Sequence, residues 1–66
     1  MDINQQTANR IIELRKEKAL TAEKLAWRSN LSKSCVTYAE KAQRDIRIST
    51  IESICKGFNI SIAEFL

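Results

Sequence analysis

The chain has 66 residues, with 11 Lys and Arg against 8 Asp and Glu, no His and two Cys, for a formal net charge of +3. So short a chain buries only about 60% of the surface its unfolded form exposes, which limits it to one domain over residues 1–66. No His and only Cys35 and Cys55 exclude the clustered zinc and haem spacings, and neither a signal peptide nor eighteen consecutive apolar residues occur.

The first helix runs from about Gln6 to Lys18, with Ala8, Ile11, Ile12 and Leu14 as its apolar stripe and Leu20 closing it against the core. Thr21 caps a second helix whose small apolar face is Leu25 and Ala26; it ends near Ser29, where Asn30 adopts the left-handed conformation. Leu31 plugs the corner and Ser32 caps a third helix with a narrow seam of Val36 and Ala39. Lys33, Ser34, Thr37 and Tyr38 are left facing out. Lys41 to Arg47, KAQRDIR, breaks the periodicity and reads as an exposed connection.

Ser49 and Glu52 match a capping box, so a fourth helix begins close to Ser49 and carries Ile51, Ile54, Cys55 and Phe58. Phe58 fits that stripe, so the stop is placed at Asn59 rather than at Gly57. Ser61 and Glu64 form a second capping box for a short helix over Ile62 to Leu66. No segment alternates as a strand would, and there is no proline. The fold class is all-α: five helices with short connections.

Within this layout Thr21 to Glu40 reads as two short helices joined by a tight turn, the arrangement of a DNA-reading helix-turn-helix. A third helix that keeps so little apolar surface for its own core, and shows donors and a cation elsewhere, suits a polar groove. The charge agrees: residues 1–20 sum to +1, residues 21–45 to +2 and residues 46–66 to zero. A small basic protein with nothing but a solvated surface has the same net charge, so charge alone does not decide. Both thiols are read as reduced, a Cys35–Cys55 disulfide being the lesser alternative.

Leu14-Arg15, Leu20-Thr21, Leu25-Ala26, Leu31-Ser32, Val36, Glu40 and the tail from Thr50-Ile51 through Phe58-Asn59-Ile60-Ser61 to Phe65-Leu66 resemble the DNA-binding domain of the phage lambda repressor and Cro family, also called the xenobiotic-response-element type. The match covers about residues 8–66. It implies a compact five-helix domain in which the helix starting at Ser32 enters the major groove, and in which Arg15 on the first helix pairs with Glu40 at the end of the recognition helix. A bidentate Arg–carboxylate contact would fix the angle between those helices. The chain departs from the family at Ala22, where a phosphate-contacting Gln is usual, at Ala19 and Ala42, where glycines are frequent, and at Ile46, where proline is common. A positive φ at either alanine would cost about 1 kcal/mol, or the turn must differ.

The resemblance makes Lys33, Ser34, Thr37 and Tyr38 the candidates for base edges. Lys33 can donate to the guanine acceptors O6 and N7, and Thr37 offers a methyl to thymine and a hydroxyl; at least one of the four is expected to touch phosphate instead. Backbone anchors are sought among Thr21, Lys24, Arg28, Lys41, Arg44 and Arg47. For Lys24 and Arg28 a role as solvated helix charges is an equal alternative, while Arg44 and Arg47 stand in the loop that follows the recognition helix. Cys35 is read as structural or phosphate-facing and Cys55 as core. Trp27 either packs against the first helix or, if exposed, contacts DNA or a protein.

The resulting expectation is a cytoplasmic, sequence-specific double-stranded DNA-binding regulator, repressor-like, acting as a homodimer on a palindromic operator. One recognition helix reads a few base pairs, whereas two about 34 Å apart read two half-sites. Ile60, Ile62, Phe65 and Leu66 either supply a symmetric contact or finish the monomer's core. The alternative is a protein-interaction module such as the antitoxin of a toxin–antitoxin pair. An enzyme is not expected, for there are no carboxylates paired at a plausible spacing, no His and no glycine-rich phosphate loop. No cofactor, metal, membrane partner or small-molecule ligand is evident.

Overall fold

The computed structural model describes residues 2–42 and 46–66. Among them the chain forms five α-helices: α1 (Ile3–Glu17), α2 (Ala22–Arg28), α3 (Lys33–Lys41), α4 (Ile48–Phe58) and α5 (Ile62–Phe65). None is long and apolar enough to cross a membrane.

Helix α1 starts three residues before the sequence-based expectation, because Asp2 accepts the Gln5 N–H at 2.8 Å and so caps an additional polar turn. Its buried side is Thr7, Ala8, Ile11 and Leu14, with Ile12 only half-buried. The Thr7 hydroxyl donates to the Ile3 carbonyl at 2.8 Å, which makes a polar side chain tolerable there.

Three of the four breaks between helices reuse one device. After α1, Ala19 is left-handed at φ 55°, its N–H donates to the Lys16 carbonyl and the Leu20 N–H to the Arg15 carbonyl. Asn30 and Leu31 repeat this on the Trp27 and Ala26 carbonyls, and Asn59 and Ile60 on those of Lys56 and Cys55. This paired 5→2 and 6→1 bonding satisfies the last carbonyls of a helix. Each of these three left-handed residues is followed by an aliphatic side chain that packs on the core, Leu20, Leu31 or Ile60, and then by a cap. Thr21, Ser32 and Ser61 accept the N–H of Lys24, Cys35 and Glu64 at 3.0, 3.1 and 3.1 Å. Glu64 returns a bond to the Ser61 N–H at 3.3 Å, completing the capping box.

The expected box at Ser49 and Glu52 does not form. Helix α4 begins at Ile48, and its N-cap, Arg47, makes no side-chain capping bond. The approach to α4 is set instead by tertiary contacts: Ile46 packs on the core and its N–H donates to Asn4 Oδ1 of α1 at 3.3 Å. Of the expected exposed connection Lys41–Arg47, Lys41 and Arg47 are exposed, but Lys41 belongs to α3 and Ile46 is half-buried; residues 43–45 lie outside the described residues.

Helix α1 packs on α3, α2 on α3 and α4, and α4 on α5. Ile11, Leu14, Leu25, Ala26, Val36, Ala39, Ile54, Cys55, Phe58 and Phe65 form the core. Glycine is required at 57 by the approach of α4 to the end of α2: a Cβ there would collide with Ser29 Oγ and lie 3.2 Å from Leu25 Cδ1. Of the C-terminal apolar residues only Phe65 is fully buried, whereas Ile62 and Leu66 are exposed. Arg10 holds α5 to α1, donating from Nε to the Phe65 carbonyl at 2.8 Å and from Nη2 to that of Glu64 at 3.0 Å.

Candidate nucleic-acid interface

Helix α3 buries little of itself, namely Val36 and Ala39. Its direction is fixed by a contact from α1. Arg15 donates from Nε to Glu40 Oε2 at 2.7 Å and from Nη2 to Oε1 at 3.1 Å, while Nη1 reaches the Leu20 carbonyl at 3.1 Å. The side chains are 21% and 13% exposed, so this two-point contact is partly shielded from water. One guanidinium thereby links α1, the turn before α2 and the end of α3.

Held in this way, α3 exposes Lys33, Ser34 and Tyr38, with Thr37 and Cys35 half-buried. Between α3 and the start of α4 lies an open cleft of about 310 Å³ whose lining includes Ser34, Cys35, Tyr38, Arg47 and Thr50. Arg47 is thus brought to the same surface as Ser34 and Tyr38. The other cations are more dispersed. Lys41 is exposed at the last position of α3 and Arg28 at the last of α2. Lys24 Nζ lies 5.5 Å from the Trp27 ring centroid, a cation–π distance. Thr21 is exposed, with its hydroxyl already accepting the Lys24 N–H. Arg44 lies outside the described residues.

Trp27 is 77% exposed, which removes packing against α1 as its explanation. Both cysteines are free; Cys55 is buried, and burial, followed by the nearby Glu52 carboxylate, pushes its thiol pKa up. Such a thiol is a poor nucleophile. Sequence reasoning missed two contacts. The Arg10 clamp joins residues more than fifty positions apart. Glu23 Oε2 stands 3.9 Å from Lys33 Nζ across the turn, where no helical spacing signals the pair.

Residues 11–65 match a family model described as helix-turn-helix. The restriction-modification controller protein C.Esp1396I is similar in structure, with a TM-score of 0.91 and 31% identity over 98% of this chain and 84% of that one. The controller protein C.AhdI from Aeromonas hydrophila is similar too, with a TM-score of 0.88 and 30% identity over 96% of each chain. No curated protein sequence matches significantly.

Proposed function

The chain belongs to the helix-turn-helix family of lambda repressor and Cro type, a family of DNA-binding regulators, and on that premise we propose that it binds a specific, roughly palindromic operator as a homodimer. The observation that carries this reading is α3 itself: nine residues, two of them buried, braced at the far end by Arg15 and presenting Lys33, Ser34 and Tyr38. In the proposal Lys33, Ser34, Thr37 and Tyr38 meet base edges, and Thr21, Lys24, Arg28, Lys41, Arg44 and Arg47 supply phosphate contacts.

The likeness to two restriction-modification controllers supports a narrower role, control of the genes of such a system. Selection of bound duplexes from a random pool tests the core of the proposal, and a recovered palindrome would establish both sequence reading and two-fold symmetry. Absence of any enrichment would reject DNA reading in favour of a protein-interaction module such as an antitoxin. The exposed Trp27 ring is the observation that favours that second reading.

A further inference from the structure

DNA reading by α3 leaves Glu23 without an obvious part, although its carboxylate stands at the edge of the proposed surface. Glu23 is in the first turn of α2, Lys33 is the first residue of α3, and their charged atoms are 3.9 Å apart with the side chains 79% and 65% exposed. An ion pair so exposed contributes little to folding. Its location matters more than its strength. A cation at the first position of a helix sits in the positive end of the helix dipole, and a nearby carboxylate offsets that. A DNA phosphate would offset it in the same way, so Glu23 and a phosphate compete for one ammonium.

We infer that Glu23 is a specificity-determining residue that restrains Lys33 from indiscriminate phosphate contact, an inference that rests on the DNA-binding reading above. A phosphate on Lys33 brings a second anion beside the Glu23 carboxylate and is opposed by it. A guanine edge offers O6 and N7, which carry no formal charge. At 3.9 Å Glu23 acts on Lys33 through charge rather than through a hydrogen bond, so it takes up none of the three ammonium donors that a base can use. Glu23 therefore penalises the backbone use of Lys33 and leaves its base use nearly untouched, which widens the gap between operator and random sequence.

The test is a salt series of binding titrations of the wild type, Glu23→Gln, Lys33→Gln and the double variant, on the selected operator and on a random duplex of equal length. Melting curves confirm that each variant is folded. Glu23→Gln is expected to bind the random duplex roughly threefold tighter, with a salt dependence steeper by about one ion, while operator affinity changes less. In the Lys33→Gln background the same substitution should have almost no effect. Unchanged random-duplex affinity and salt dependence in Glu23→Gln overturn the inference, as does a full gain that persists without Lys33. A wild type that binds neither duplex overturns the DNA-binding reading and this inference together, whereas binding that ignores Glu23 overturns only the latter.

Discussion

Ala19 and Ala42 occupy left-handed backbone at φ 55° and 54°, where an L side chain costs about 1–2 kcal/mol and glycine almost nothing. At Ala19 the two carbonyl bonds and the packing of Leu20 hold the conformation against that cost. Ala19→Gly should therefore stabilise the protein by about 0.5–1 kcal/mol, the gain being reduced by the greater freedom of glycine in the unfolded chain, and raise the melting temperature by about 3–6 °C. A lower melting temperature would contradict the strain. Cys55 gives a second residue-scale expectation. Its pKa is raised on folding, so the thiol's contribution to stability is complete below its ordinary value of 9.0 and is lost as pH rises through the higher folded value. Between those values unfolded chains release a proton that folded ones retain. Unfolding titrations across this range should show a decline that Cys55→Ala lessens, and a thiol reagent should label the half-buried Cys35 well before Cys55.

At the scale of elements, what was legible in the sequence was written in local chemistry. The caps at Thr21, Ser32 and Ser61 and the stops at Asn30 and Asn59 need only nearby atoms, and all five are present. What was not legible depends on distant chain. Ile46 bonded to Asn4 overrides the Ser49–Glu52 signature, and Ala19 repeats the Asn-Leu-Ser device without the residue that advertises it. The Gly57 contact is of the same distant kind and can be tested. Ser29 Oγ is buried without a hydrogen-bond partner among the described residues, so Ser29→Ala should be neutral or slightly stabilising. Gly57→Ala should cost about 2 kcal/mol by overpacking, and less in the Ser29→Ala background, because the worst collision is with the hydroxyl. Equal costs in the two backgrounds would show that the obstacle is not the hydroxyl but Leu25 Cδ1 or the Cβ of residue 29, both at 3.2 Å.

At the scale of the whole molecule the question is whether the surface framed by α3 and α4 separates reading from holding. The exposure of Lys33, Ser34 and Tyr38 followed from a seam too narrow to hide them, but the approach of Arg47 to Tyr38 across the cleft required the α3–α4 geometry. Tyr38 lies on the helix proposed to enter the groove, and Arg47 immediately precedes the next helix, where a DNA backbone would run. Tyr38→Ala should then relax preference at one operator position by about 1–3 kcal/mol, while leaving affinity for random duplex nearly unchanged. Arg47→Ala should weaken binding to every sequence alike and reduce the salt dependence by about one ion. Titrations on single-base operator variants at several salt concentrations distinguish the two behaviours. A position-specific loss for Arg47→Ala, with an unchanged salt slope, would move Arg47 from the backbone to the bases and make the cleft between α3 and α4 part of the reading surface.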